Sequence, residues 1–99
     1  MPAPASEPAD PRTQTLEAML SSARANRLAG NLVQAEATLE SALRIDPGEA
    51  RLWLELAETL LAAGDYAAAQ SFAERAMSLA GRNIQVRNDA MRIRNLSER

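Results

Sequence analysis

The stretch "LAAGDY" at residues 61–66 places a glycine, an acid and an aromatic after a run rich in leucine and alanine. The stretch "LAGNL" at residues 28–32 makes the same interruption 34 positions earlier in the chain. A glycine after an apolar run of helical spacing ends a helix, and an Asp or Asn directly after it can begin the next helix. The sequence therefore predicts two helical hairpins of the same design, one following the other.

Length and composition limit the chain to one small globular domain. It has 99 residues, of which 46% are hydrophobic, but it has one Trp, one Tyr and one Phe, so aliphatic side chains and alanine must fill the core. A net charge of -2 argues against nucleic acid or an anionic membrane as partner, because both require a basic field. No apolar run approaches the ~20 residues of a membrane-spanning helix, so no membrane span is expected.

Apolar residues recur at helical spacing in five segments, and nothing alternates as a strand does, which predicts an all-α chain. Asp10 before Pro11 is the first candidate helix start, with Thr13 or Thr15 as later capping candidates. The later helix boundaries are predicted from Asn31 with Gln34 in a capping box, from "DPGE" at 46–49, from Asp65 as a cap, and from a start near Asn83.

The two hairpins superpose when the chain is shifted by 34 residues. Alanines and glycines dominate the identities, and they fall where two helices approach closely or where the chain must turn, because a larger side chain there would force the helices apart. The seven identical pairs are Leu20 and Leu54, Ala23 and Ala57, Ala29 and Ala63, Gly30 and Gly64, Ala35 and Ala69, Glu40 and Glu74, and Ala42 and Ala76.

In these residues the chain resembles the tetratricopeptide repeat family, whose 34-residue pattern of aromatic, small and turn residues the second unit follows best. The matching residues there are Trp53, Leu56, Ala57, Gly64, Asp65, Tyr66, Ala69, Ala73 and Ala76. The resemblance implies a right-handed superhelical stack of helical hairpins, an α-α superhelix of five helices. The Pro/Ala-rich composition of the opening residues predicts a flexible tail at 1–12. The resemblance implies a domain at 13–98, with repeat 1 at 16–49, repeat 2 at 50–83 and a capping helix at 84–97.

The chain departs from the family pattern at two places. Gly81 replaces the proline that usually ends a unit, so the helix before it either continues or turns differently. The first unit is degenerate, with Met19, Ser22 and Asn26 in place of the family's Trp, Leu and Tyr, which is expected of a terminal cap. About three repeats are usually needed for stability, so dimerisation or origin from a longer array is expected.

Residues suited to chemistry are scarce. The chain has no His and no Cys, which removes the commonest general base, the commonest metal ligands and the thiol nucleophile. Glu55 with Glu58, one helical turn apart, could form a carboxylate pair, but a solvated helix face is the favoured interpretation. The isolated glycines form no phosphate loop. The protein is therefore predicted to be no enzyme and to need no cofactor or metal.

Binding is the function that the resemblance implies, because stacked hairpins form a concave groove lined by the first helix of each pair. Arg24 and Arg27 could grip an acidic partner bidentately, although a plain solvated face is the alternative. Trp53 occupies the family's aromatic packing position, facing the preceding hairpin, and is expected to belong to the core. The predicted groove residues are Leu20, Arg24, Arg27, Arg51, Leu54, Glu55, Glu58 and Leu61, with Glu17 and Leu28 beside them.

The favoured function is a non-enzymatic interaction module or scaffold that binds a peptide segment or protein in this groove. The alternative is a structural unit that self-associates into a homo-oligomer through Ile84, Met91 and Ile93 of the last helix. That helix is locally basic, yet it lacks the aromatic platform of a nucleic-acid site. The Pro/Ala/Glu head is similar to the tether of short bacterial repeat lipoproteins, so two locations stay open: cytoplasmic, or periplasmic and lipid-tethered after removal of an upstream signal.

Overall fold

The computed structural model describes residues 10–98. Within that range the chain forms five helices and no strand, which confirms the predicted all-α class and the number of helices. The predicted tail lies largely outside the described residues, although the first helix already begins at Pro11, two residues before the predicted domain boundary. The helices are α1 (Pro11–Leu28), α2 (Leu32–Ile45), α3 (Ala50–Ala62), α4 (Tyr66–Leu79) and α5 (Ile84–Ser97).

Both predicted breaks are turns with the same hydrogen bonds. Gly64 adopts a φ of +82° and Gly30 a φ of +84°, in the left-handed region that residues with a Cβ rarely occupy. The Gly64 N–H donates to the Leu61 carbonyl at 3.1 Å, and the next N–H, of Asp65, donates to the Leu60 carbonyl at 2.9 Å. This pair of bonds closes the end of α3 in a Schellman motif, and residues 26–31 repeat it at the end of α1.

The caps that follow the two turns differ from each other. Asp65 caps α4 as predicted, its carboxylate accepting from the Ala68 N–H at 3.2 Å. Asn31 is the N-cap residue of α2 as predicted, but the expected capping bond from its side chain is absent. Its amide instead donates across the turn to Asn26 Oδ1 at 3.4 Å, so the side chain is turned away from the N–H groups that it would have capped.

The end of the second unit shows whether the helix before Gly81 continues or turns. Helix α4 ends at Leu79, and Gly81 turns the chain with a φ of +57° before α5 begins. Asn83 then caps α5, its side-chain oxygen accepting from the Val86 N–H at 3.1 Å. The helix therefore does not continue through this position, and a glycine makes the turn in place of the usual proline.

The five helices form a curved stack. Helix α1 pairs with α2 and α3 with α4, while α2 also packs on α3 and α4 on α5. The helices α1, α3 and α5 contact one another in succession, whereas α2 and α4 do not touch. A stack whose odd helices are in contact and whose even helices are not must curve around the odd ones. The surface of α1, α3 and α5 on that side is called the inner face below.

Alanines lie at the close approaches between helices, as the repeat comparison predicted. Eight alanines of the described residues have no exposed surface, so none of these positions has room for a larger side chain. Six belong to the identical pairs, Ala23, Ala35, Ala42, Ala57, Ala69 and Ala76, and the other two are Ala73 and Ala90. Leu39, Leu52 and Ile93 are the largest apolar side chains that are completely enclosed.

The last helix folds back onto the stack. Val86, Ala90 and Ile93 are buried on the side of α5 that meets α4 and α3. Ile93 therefore cannot belong to a self-association stripe, as was expected of it, because its side chain is already part of the core. Only Ile84 and Met91 of that predicted stripe reach the surface.

Trp53 packs mainly within its own hairpin. Its ring lies 5.6 Å from that of Phe72 on α4, and the Arg75 guanidinium lies 5.5 Å from the ring centroid. The indole N–H donates to the Pro47 carbonyl of the preceding loop at 2.7 Å. Trp53 was predicted to face the preceding hairpin, and its ring also contacts α4. The Arg75 guanidinium near the ring face adds a favourable cation–π interaction.

Candidate functional site

The predicted groove residues lie on α1 and α3, and their charged members are joined by ion pairs across the inner face. Arg24 and Arg27 of α1 both reach Glu55 of α3. Arg51 of α3 pairs with Glu17, which was expected beside the groove, and with Glu49. Glu58 pairs with Arg92, which was not predicted. The inner face is therefore a row of bridges between neighbouring helices rather than a row of isolated charges.

The first bridge is a cluster of two arginines around one carboxylate. Arg24 Nε lies 3.2 Å from Glu55 Oε1, and Arg27 Nε donates to Glu55 Oε2. Glu55 is only 3% exposed, and burying a carboxylate is costly unless it is paired and hydrogen-bonded. The two guanidinium groups supply the hydrogen bonds, one to each oxygen. We call Arg24, Arg27 and Glu55 the arginine cluster.

The arginine cluster has hydrogen-bond donors that no described residue uses. Each guanidinium uses its Nε atom toward Glu55, and the terminal Nη atoms make no hydrogen bond to any residue between 10 and 98. The Arg24 side chain is 52% exposed and that of Arg27 is 23% exposed, so both can be reached from solvent. Two guanidinium groups held by one buried acid leave a net positive charge at this end of the inner face.

The second bridge centres on Arg51. Its Nη1 atom lies 3.2 Å from Glu17 Oε1 on α1, and its Nε atom lies 3.2 Å from Glu49 Oε2 at the start of α3. Hydrogen bonds from Arg51 hold the pKa of the Glu17 carboxyl below its ordinary value, against a smaller opposing effect of burial. The same donor lowers the pKa of Glu49, and the two acids raise the pKa of Arg51 in return. Two acids on one arginine leave this end of the inner face negative.

The third bridge joins α3 to α5. Arg92 Nη2 donates to Glu58 Oε2 at 2.7 Å. Arg92 was not among the predicted groove residues, but it occupies the repeat position of Arg24 and Glu58, at intervals of 34 residues. Glu17 and Arg51 are related in the same way. Opposite charges at one repeat position were the signal that could have identified these bridges.

The leucines predicted for the groove contribute little surface. Leu20 is 3% exposed and Leu54 is 8% exposed, because each packs into the core between its own helix and the neighbouring ones. Leu61 is half-buried. Leu28, at the C-terminal end of α1, is among the most exposed apolar side chains of residues 10–98. A partner on the inner face would therefore meet mainly arginine and glutamate, and the assignment of these residues to a binding surface stays a prediction.

Among the described residues, the inner face has no enclosed reaction site. The part of the chain that the structure describes encloses no pocket and contains no group of acids placed to hold a metal ion. The favoured interpretation of Glu55 and Glu58 as a solvated face is wrong for Glu55, which is 3% exposed. The alternative carboxylate pair is divided between two bridges, Glu55 with the arginines of α1 and Glu58 with Arg92. Between residues 10 and 98 there is also no helix with the length and apolar character needed to cross a bilayer.

Comparison with known proteins agrees with this architecture. The family model described as tetratricopeptide repeat matches residues 27–90, which is more than half of the chain and runs from the end of α1 into α5. No curated protein and no solved structure gives a significant match. The matched region includes the glycine turns at Gly30 and Gly64, the buried alanines of the second unit, and Arg27 and Glu55 of the arginine cluster. The chain belongs to the tetratricopeptide repeat family.

Proposed function

We propose that the inner face binds an acidic segment of a protein partner. Tetratricopeptide repeats generally mediate protein–protein interaction, which gives the class of partner. The observation that carries the proposal is the arginine cluster, in which Glu55 holds two guanidinium groups while their Nη atoms keep their hydrogen-bonding capacity toward solvent. A planar guanidinium can bind a carboxylate with two parallel hydrogen bonds, so each arginine offers a bidentate site.

Preorganisation favours such binding. Ordering a long side chain at an interface costs about 0.5–1.5 kcal/mol. The Nε bonds to Glu55 have already fixed Arg24 and Arg27 in the unbound chain, so part of that cost is absent. Glu55 neutralises only one of the two positive charges, and a carboxylate from the partner would neutralise the other.

Charge along the inner face suggests an orientation for the bound segment. The arginine cluster is positive, whereas Glu17 and Glu49 around Arg51 leave the other end negative. Along α1 the two ends lie 7–10 residues apart (Glu17 to Arg24 and Arg27), which is roughly 10–15 Å at 1.5 Å per residue. An extended peptide covers that distance in about four residues. The preferred partner segment would therefore carry an acid and, about four residues away, a base.

Selection from a displayed library of random 12-residue peptides tests the proposal. We expect enrichment of peptides with an acid and a base at that spacing. A selected peptide, labelled with a fluorophore and titrated with the full chain, should lose about tenfold in affinity on Arg24→Gln, because one charge-assisted interaction is removed. Arg44→Gln is the matched control, since Arg44 is an exposed arginine on α2 whose partner is Ser41 of the same helix.

Two outcomes would contradict the assignment. Selected peptides without acidic residues would show that the arginine cluster is not the recognition element. Equal affinities of the Arg24→Gln and Arg44→Gln chains would place the bound peptide away from the inner face. Arg27 is less suitable for substitution, because its side chain is more enclosed than that of Arg24.

A further inference from the structure

Helix α5 presents an apolar face that no described residue covers. At 100° per residue, Ile84 and Met91 lie on the side opposite to the buried Val86 and Ile93. Ile84 is 68% exposed and Met91 is 40% exposed.

The repeat register shows what kind of element covers this face elsewhere. One unit earlier the same positions hold Ala50 and Ala57, and in the first unit they hold Leu16 and Ala23. All four are buried, and in both units the first helix is paired with a second, α2 or α4. Helix α5 occupies the place of a first helix, but within residues 10–98 it has no second helix. Its open face therefore has the geometry of a helix-binding surface.

Charge on the flank of this face indicates the chemistry of a helix that could cover it. Arg87 occupies the repeat position of Trp53, which contacts Phe72 and Arg75 of α4. A helix lying on α5 as α4 lies on α3 would bring its counterpart of Arg75 beside Arg87. Neither Arg87 nor Arg94 forms an ion pair with any residue that the structure describes. An acidic residue on the incoming helix would be attracted there, and a basic one would be repelled.

From register and charge we infer that the open face of α5, formed by Ile84, Met91 and the flanking Arg87 and Arg94, docks an acidic amphipathic helix of a partner protein. A second copy of this chain fits less well, because pairing two α5 helices would bring their arginines together. The surface is separate from the inner face, where Arg92 of the same helix is already bonded to Glu58. It provides a second binding site that does not depend on the arginine cluster.

The test uses two helical peptides that differ at one residue. Both cover residues 65–80, the segment that packs on α3 in the second unit, and one carries Arg75→Glu while the other keeps the arginine. Fluorescently labelled peptides are titrated with the full chain. We expect the acidic peptide to bind about fivefold more tightly, the size of effect that a change from repulsion to attraction at one exposed charge pair produces.

Charge reversal on α5 gives the decisive measurement. Arg87→Glu in the full chain should make the peptide with Arg75 bind more tightly than the peptide with Arg75→Glu. Arg44→Glu on α2 should leave the order of the two affinities unchanged. Met91→Asp should weaken both peptides by about tenfold, since it places a charge in the apolar contact. Met91 is at the surface, so this variant should retain its helical circular dichroism, and that is recorded in parallel.

Three results would overturn the inference. The first is an unchanged order of the peptides in the Arg87→Glu chain. The second is a set of amide shifts in ¹⁵N-labelled protein that falls on Arg24 and Arg51 of the inner face rather than on Ile84 and Met91. The third is a concentration-dependent dimer in sedimentation that Met91→Asp abolishes, which would make a second copy the occupant of this face.

Discussion

Replacement of Gly64 by alanine tests whether the left-handed turn fixes the hairpin. A Cβ added at this residue meets no atom within 4 Å, so the effect of the substitution comes from the backbone alone. A left-handed conformation costs an L-residue about 1–2 kcal/mol. Alanine also restricts the unfolded chain, which returns about 0.4–1 kcal/mol. We therefore expect Gly64→Ala to lower the free energy of unfolding by about 1 kcal/mol, equivalent to a fall in Tm of about 4–8 °C for a domain of this size.

Gly48 provides the matched control for this measurement. Its φ is not positive, and an added Cβ would make only an ordinary contact of 3.6 Å with the Asp46 carboxylate. Gly48→Ala should therefore be neutral or stabilising by about 0.5 kcal/mol. Urea unfolding followed by circular dichroism at 222 nm gives both values from the midpoint at constant slope. A Gly64→Ala chain as stable as the Gly48→Ala chain would refute the reasoning that the turn requires its left-handed residue.

Two further predictions concern packing and acid stability. Ala57→Leu should destabilise the fold by about 1–3 kcal/mol because Ala57 is completely enclosed, whereas Ala37→Leu on the exposed side of α2 should change urea stability by less than about 0.5 kcal/mol. For pH, the folded-state pKa values of Glu17 and Glu49 lie below the ordinary value of 4.5, so their bonds to Arg51 stabilise the fold above that pH and are lost as the pH falls through the lowered values. The stability difference between the native chain and Arg51→Gln should be less than about 1 kcal/mol at pH 7 and should diminish as the pH falls below 4.5; a difference that does not depend on pH would contradict this origin.

Much of the fold could be predicted because its determinants are local or repeated. Gly64 with Asp65 predicts a helix end and the start of the next helix within two residues, and both are present in the structure. Asn31 illustrates the limit of such reasoning. Its residue type suits a cap as well as that of Asp65, yet a neighbouring Asn26 offers its side chain a different partner. Competition between two local hydrogen bonds of similar strength is decided by geometry that the residue types do not contain.

The site was less predictable than the fold. The repeat assigns helix faces correctly enough to place Arg24 and Glu55 on one surface, but it does not state which charges meet. Arg24 pairs with Glu55 rather than with Glu58, although Glu58 occupies the same repeat position as Arg24, 34 residues later. Long side chains span more than one helical turn, so several acids lie within reach of one guanidinium. The buried state of Leu20 likewise depends on how closely α3 approaches α1, which only the assembled stack defines.

The alternating bridges have a consequence for the order in which repeat units assemble. Arg24, Glu58 and Arg92 change sign from one unit to the next, as do Glu17 and Arg51. Repeat proteins are prone to domain swapping, in which a unit of one chain stacks on the wrong unit of another. Stacking the second unit on another copy of itself would bring Glu58 beside Glu58 and Arg51 beside Arg51. Each exposed ion pair contributes little to the stability of the correct stack. The like-charge contacts nevertheless disfavour any stack in which a unit is followed by a copy of itself.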